Sequence, residues 1–170
     1  WALNLDAPVT VEAKGPPPHP EIAPATMSAT YEFPARGNRP AVKMVWYQGQ
    51  MKPPAWHEKK IPQWPDGHLF IGDKGMLLSN YSKYLLLPEK DFEGYKPPTR
   101  WLPRAPEGGH KKEWMLACLA NKPEMCMSNF GYAGPLTETV VLGCVAMRAG
   151  KKIEWDGPAG RESVTFQGSV

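Results

Sequence analysis

The sequence has little of what disulfide-rich, zinc-binding or membrane proteins contain. Its three cysteines, Cys118, Cys126 and Cys144, are an odd number, and no two of them have C-x-x-C spacing. A structural zinc site takes four ligands, usually in close pairs, so this pattern predicts free, mostly buried thiols and no metal site. No apolar run approaches the length of about 18 residues that suggests a membrane-spanning helix, so no membrane contact is expected.

An excess of one charge is also missing. The chain has 20 basic and 17 acidic residues, and its lysines occur in pairs such as Lys59-Lys60, without a longer run. A nucleic-acid-binding protein usually has a basic patch or stripe. The sequence therefore predicts no nucleic-acid partner.

Motifs of the common enzyme classes are absent. The sequence has no G-x-G-x-x-G, P-loop, G-x-S-x-G or H-E-x-x-H motif. The nearest approach to a phosphate-binding loop is Gly72-Asp-Lys-Gly75, which is more typical of a hairpin turn. The N-terminus has neither a signal peptide nor an initiator Met, so we expect the chain to be part of a longer protein.

What the sequence does contain is a series of short strands followed by two helices. Alternation and turn residues predict strands at 8–14, 27–33, 41–47, 68–71, 76–79, 84–87 and 152–155, and helical patterns cover 111–121 and 134–149. This order predicts an α+β fold, with an open, largely antiparallel β-sheet and helices packed on one face.

The second helix has the clearest pattern in the chain. Pro135 is predicted at its first position, Glu138 in its first turn and Arg148 in its last turn, with Gly150 as the stop. Its core-facing stripe is predicted to be Leu136, Val140, Val141, Cys144 and Met147.

Aromatic residues are numerous, with seven Trp and six Tyr. Several, Trp46 among them, fall in or beside Pro- and Gly-rich stretches, where they could cover a sugar ring or pin the loops onto the sheet. Asn129 precedes the second helix, and its amide could face a cleft or cap the helix. Both alternatives remain open in each case.

Five segments of the sequence are familiar both in their residues and in their order: Trp1–Ala13, Tyr31–Arg36, His68–Met76 (HLFIGDKGM), Ser128–Thr139 (SNFGYAGPLTET) and Lys152–Asp156 (KIEWD). Taken together, they resemble segments of one bacterial family, the Gfo/Idh/MocA oxidoreductases. They extend over nearly the whole chain.

The resemblance implies that residues 1–156 form the C-terminal α/β domain of such an enzyme, with 157–170 as a tail that could be a linker remnant. The family joins this domain to an N-terminal Rossmann domain that binds NAD or NADP, and its substrates are mostly sugars and cyclitols. Catalytic and cofactor-binding segments would precede Trp1, so we expect no catalytic residue and no cofactor in this chain, which would be inactive alone. The parent would be cytoplasmic or periplasmic.

The resemblance also implies partners and contacts. We expect a sugar-like small-molecule substrate, the missing Rossmann domain, and a homo-oligomer formed through the sheet. The expected substrate-binding residues are Asn129, Tyr132, Arg104, Trp46 and Lys74.

Two other functions fit the same sequence. Some relatives use the bound cofactor for redox-neutral glycoside cleavage, so the parent could be an NAD-dependent glycoside hydrolase or lyase. The chain could also be a non-enzymatic sugar-binding or assembly module. An apolar sheet face would then drive self-association.

Overall fold

The structure is a computed structural model that describes residues 2–5, 7–157 and, for their backbone, 164–165. The chain forms two compact units, Trp1–Met51 with Arg104–Val170, and Lys52–Pro103. Both contain an antiparallel sheet, and the larger unit adds two long helices, so the predicted α+β class is confirmed. Of the expected tail, residues 158–163 and 166–170 lie outside the described part of the chain.

The sheet of the first unit has five described strands. They are β1 (Thr10–Lys14), β2 (Met27–Phe33), β3 (Val42–Gln48), β7 (Ile153–Trp155) and β8 (Val164–Thr165). Their order in the sheet is β3-β2-β1-β7-β8, and every described neighbour pair is antiparallel. Strand β8 has only two residues and forms one edge of the sheet.

Strict alternation in β2 sets the two faces of this sheet. Met27, Ala29, Tyr31 and Phe33 are buried, because side chains two residues apart share one face of a strand. Val11 and Ile153 join them in the core from the neighbouring strands. Burial also raises the pKa of the Tyr31 phenol, whose hydroxyl donates to the Val140 carbonyl at 3.4 Å.

The opposite face of the sheet carries a cluster of polar side chains around Glu32. Glu32 accepts hydrogen bonds from the Thr10 hydroxyl at 2.6 Å and from the Lys152 ammonium at 3.0 Å. These two bonds hold the pKa of the Glu32 carboxyl below its usual value. Register places Glu12, Lys43 and the exposed Thr10–Glu32 pair on this side, opposite the core residues. The same face also carries Val45 and Tyr47 of β3, opposite Thr30 and Ser28, and the expected association through the sheet stays a prediction.

Two long helices follow in the first unit, α2 (Gly109–Ala120) and α3 (Phe130–Ala149), while a single-turn helix, α1 (Pro54–His57), belongs to the second unit. The helix α3 packs on β1 and β2. The residues that it buries there are Leu142, Gly143, Ala146 and Met147.

The predicted core stripe of this helix was therefore largely wrong. Met147 is buried, and Cys144 is half-buried, but Leu136, Val140 and Val141 are each about half exposed. The helix is apolar on nearly all sides, so the period of its apolar residues does not define one face. The small residues Gly143 and Ala146 determine which side of the helix is buried, because they let the helix approach the sheet closely.

The start of α3 also differs from the prediction. The helix begins at Phe130, so Pro135 lies inside it and Glu138 lies beyond its first turn. Asn129 caps the helix with its side chain, and an asparagine cap stabilises a helix start enough to place it ahead of the proline. The end is as predicted, with Arg148 in the last turn and Gly150 in the left-handed region at φ 65°.

The second unit is a three-stranded meander, β4 (His68–Gly72), β5 (Gly75–Ser79) and β6 (Tyr84–Leu87), in sequential order. Its small core contains Ile61, Leu78 and Leu87. Gly72-Asp-Lys-Gly75 forms the tight turn between β4 and β5, where Gly75 has φ 147°, so the hairpin prediction is confirmed.

Candidate functional site

The start of α3 is the best-defined polar arrangement in the first unit. The Asn129 side-chain oxygen accepts from the Tyr132 backbone N–H at 3.3 Å, and its amide nitrogen donates to the Cys126 carbonyl at 2.9 Å. The amide therefore caps the helix, which satisfies one of the unpaired N–H groups of its first turn. Asn129 and Tyr132 are one helical turn apart, so the cap joins two of the five expected substrate-binding residues.

A buried carboxylate from the preceding helix forms hydrogen bonds with the residues just before this helix start. Glu113 of α2 is 8% exposed and is the one buried charged side chain among the described residues. Its Oε2 accepts from the Met127 backbone N–H at 3.2 Å and lies 3.6 Å from the Cys126 sulfur, which is also 3.6 Å from the Ser128 hydroxyl. Glu113 thus ties α2 to the residues that precede the Asn129 cap.

Substituting Glu113 with alanine should loosen this turn. The change removes the carboxylate acceptor of the part-buried Met127 N–H, and a hydrogen bond to a charged group contributes at most about 1.5–3 kcal/mol. We expect that loss in urea denaturation, together with faster modification of the Cys126 thiol by a disulfide reagent. Glu124→Ala, at an exposed position between the same two helices, is the control. Equal losses in both variants would show that the Glu113 contacts contribute nothing specific.

The Tyr132 side chain is exposed in the first turn of α3. It is 41% exposed, and the neighbouring Phe130 is 92% exposed. An exposed phenol combines an apolar ring face with a hydroxyl that donates and accepts, which is the combination that sugar sites use.

Trp46 and Arg104 lie elsewhere in the first unit. Trp46 is in edge strand β3, opposite Ala29, on the face that carries the core, and it is about half exposed. Its indole N–H donates to the Gln48 side chain at 3.2 Å. Arg104 is exposed in the irregular segment before α2. Within the described residues, no hydrogen bond or ion pair connects either of them to Asn129 or Tyr132.

Lys74 belongs to the second unit. It occupies the β4–β5 turn and is exposed there. The structure thus joins Asn129 with Tyr132 and gives no contact that adds Trp46, Arg104 or Lys74 to them.

The cysteines were predicted to be free and mostly buried. They are free, but only Cys126 is buried, while Cys144 is intermediate and Cys118 is exposed on α2. Over residues 2–5 and 7–157, no group of three or more His, Cys, Asp or Glu side chains could hold a metal ion.

The apolar surface of α3 also reaches the length and composition of a membrane-spanning helix. The sequence contains no uninterrupted apolar run of that length. The helix qualifies because the mean hydropathy of an 18-residue window, which includes small and polar residues, reaches 1.2. One such helix is weak evidence, because it rests on length and composition alone; 22% of the window is buried in the structure.

No sequence model of a known protein family matches this chain, and no curated protein is significantly similar to it.

Sequence reasoning identified Asn129 and Tyr132 as candidates but missed Glu113. A single Glu in a helix with exposed neighbours is usually a solvated surface residue. The sequence contains no signal that places its carboxylate against Cys126 and Met127, because that contact depends on how the chain turns between α2 and α3.

Proposed function

We propose that this chain is the substrate-side domain of an NAD(P)-dependent oxidoreductase of the Gfo/Idh/MocA type, acting on sugars or cyclitols. The observation that carries the proposal is the arrangement of the segment Ser128–Thr139. It opens a 20-residue helix, and it combines the Asn129 cap with the exposed Tyr132 phenol in the first turn. A sugar is bound by this combination of an aromatic face and hydrogen-bonding groups.

The fold supports the same proposal. An open antiparallel sheet with α3 on one face agrees with the C-terminal domain that the resemblance implies. The similar segments fall on β1, β2, the β4–β5 hairpin, the start of α3 and β7. They therefore coincide with defined elements of the two units.

In this proposal, the chain orients the substrate and another domain performs the redox chemistry. NAD or NADP would bind to an N-terminal Rossmann domain of the longer protein and exchange a hydride with the substrate carbon. Tyr132 would hold the ring and its hydroxyls beside that carbon. Because hydride transfer requires a bound nicotinamide and a positioned acid–base group, this chain alone would be inactive.

The decisive test is the reading frame upstream of Trp1 in the source genome. We expect it to encode a strand, a glycine-rich turn and a helix, followed by a Glu-Lys-Pro segment and a histidine segment. The intact protein, incubated with a panel of monosaccharides and cyclitols, should then form reduced nicotinamide. Cleavage of glycosides without net reduction would indicate the redox-neutral reaction. A start codon directly upstream of Trp1 would contradict the proposal.

Tyr132→Phe in that intact protein should raise the KM for the sugar. Losing one hydrogen bond of about 0.5–1.5 kcal/mol corresponds to a roughly two- to tenfold rise. Tyr95→Phe is a suitable control, because Tyr95 is similarly exposed but lies in the second unit. An unchanged KM in the Tyr132 variant would remove this residue from the proposed site.

A non-enzymatic assembly role is the second candidate, because one observation favours it. Large apolar side chains are exposed along both long helices, which is typical of surfaces that are covered in an assembly. This role would take precedence if the upstream reading frame lacked a nucleotide-binding domain.

A further inference from the structure

The turn between β2 and β3 brings two arginines together. Arg36 and Arg39 form an antiparallel bridge in which each backbone N–H donates to the carbonyl of the other residue, at 3.0 and 2.9 Å. Residues that exchange both hydrogen bonds have Cα atoms about 5.5 Å apart, and their side chains start on the same side of the paired backbone. The two guanidinium groups therefore extend from neighbouring positions.

This arginine pair has no acidic partner among the described residues. The ion pairs found there all involve lysines. The sequence contains no Asp or Glu from position 33 to position 57, and Glu32 already accepts from Thr10 and Lys152. Like charges directly opposite each other on paired strands are destabilising. A bound anion would remove that cost.

The Arg36 guanidinium is partly withdrawn from water. In the described structure its Nε is buried without a hydrogen-bond partner, while its two terminal Nη atoms are not buried. Buried polar groups are nearly always paired, and one that is not calls for an explanation such as a bound ion or water. Because less water competes around a partly buried guanidinium, it attracts an anion more strongly than a fully exposed arginine does. The anion would reach Arg36 at the Nη atoms.

The Arg39 side chain is held in place by the N-terminal segment. Its Nη1 donates to the Leu3 carbonyl at 3.1 Å, which orients the guanidinium and leaves its other N–H groups for a second acceptor. Pro34 and Pro40 flank the turn and fix the backbone φ angle on each side of it. A site on such a restrained turn loses little conformational freedom when a ligand binds.

The charge of the pair favours a phosphate group over a carboxylate. A guanidinium presents its N–H groups in a planar fork that matches two oxygens of either ligand. Two guanidinium groups, however, carry two positive charges. A phosphate group carries a charge of about −1.5 to −2 at pH 7 and has three acceptor oxygens, whereas a carboxylate would balance only one arginine.

We propose that Arg36 and Arg39 form a binding site for a phosphate group. The ligand is inorganic phosphate or a small phosphate ester, which share this chemistry. Neither arginine belongs to the expected sugar-binding residues, and the proposal does not depend on the oxidoreductase function.

An NMR titration of the whole ¹⁵N-labelled chain tests the proposal. Inorganic phosphate, added at constant ionic strength, should shift the Arg36 Nε–H signal and the backbone amides of Gly37 and Asn38, and the shifts should saturate. Titration with glucose 6-phosphate distinguishes a phosphate ester from free phosphate as the tighter ligand. Sodium chloride and sodium acetate, at the same ionic strength, are the reference anions.

The variant Arg36→Lys keeps the positive charge but loses the planar fork. Loss of one charge-assisted hydrogen bond should weaken phosphate binding by about tenfold or more, followed at the Gly37 and Asn38 amides. Arg100→Lys is the matched control, because Arg100 is an exposed arginine of the second unit, and it should bind as the unaltered chain does. Circular dichroism establishes that each variant is folded. If Arg36→Lys does not fold, Arg39→Lys takes its place, with the same expected weakening.

Three results would overturn the proposal. The first is a set of shifts that do not saturate or that equal those caused by chloride, which would reduce the pair to ordinary surface charge. The second is acetate binding as tightly as phosphate, which would contradict the match to a doubly charged group. The third is equal phosphate affinity in the Arg36 or Arg39 variant and in the Arg100 control.

Discussion

Replacing Ile153 with alanine should lower the free energy of unfolding by about 2–5 kcal/mol. Ile153 is fully buried in β7, directly beside Val11 of β1, which is also fully buried. The substitution removes three carbon atoms from the part of the core where the sheet meets α3. The neighbouring strands are fixed by their ladders and cannot close the space, so the cost of a cavity adds to the lost burial.

The control for this prediction is the same substitution at Ile71. That side chain is 73% exposed at the end of β4, and an exposed truncation usually changes stability by less than about 0.5 kcal/mol. Denaturation in urea, followed by circular dichroism, compares the two variants. A loss at Ile153 no larger than the loss at Ile71 would mean that β7 is not an integral part of the first unit's core.

The strands could be predicted from the sequence because local rules determine them. In β2, the alternation of Met27, Ala29, Tyr31 and Phe33 with polar residues places one set in the core, whatever the neighbouring strands are. The β4–β5 hairpin follows from the glycines that flank its turn. The order of the strands in the sheet could not be predicted from these local rules, because β1 pairs with β7 and the paired residues are over 140 positions apart in the sequence.

The orientation of α3 could not be predicted for a physical reason. Helical periodicity identifies the buried face only when the other face is polar. Here Val140 and Val141 are as apolar as Leu142 and Met147, so the pattern contained no information about the direction of the sheet. The deciding feature is the small size of Gly143 and Ala146, which a pattern of large apolar residues does not reveal.

The candidate site was predictable only in part. Asn129 is an asparagine ahead of a helix, and a cap was one of its two interpretations; the amide does cap the helix. The association of Trp46, Arg104 and Lys74 with that cap rested on the resemblance, and none of the described contacts supplies it. The role of Glu113 could not be predicted, because it depends on a tertiary contact with Met127 that no local sequence pattern indicates.

Two glycines of α3 should respond differently to alanine. Alanine is favoured over glycine within a helix by up to about 1 kcal/mol. At Gly134 an added Cβ would meet no atom within 4 Å outside its chain neighbours and the helix backbone. Because Pro135 follows and disfavours a helical residue with a Cβ before it, the gain in propensity is offset, and Gly134→Ala should change the free energy of unfolding by less than about 1 kcal/mol.

At Gly143 the added Cβ would lie 2.5 Å from the Tyr31 hydroxyl oxygen and 3.1 Å from the Ala29 Cβ. Tyr31 is buried and Ala29 is part of the β2 backbone ladder, so neither gives way without moving the sheet. Overpacking of this kind costs about 1–3 kcal/mol, which exceeds the gain in helix propensity. Gly143→Ala should therefore destabilise the chain while Gly134→Ala does not. If both variants were equally stable in urea, the close approach of α3 to β2, and with it the outward orientation of Val141 and Val145, would be wrong.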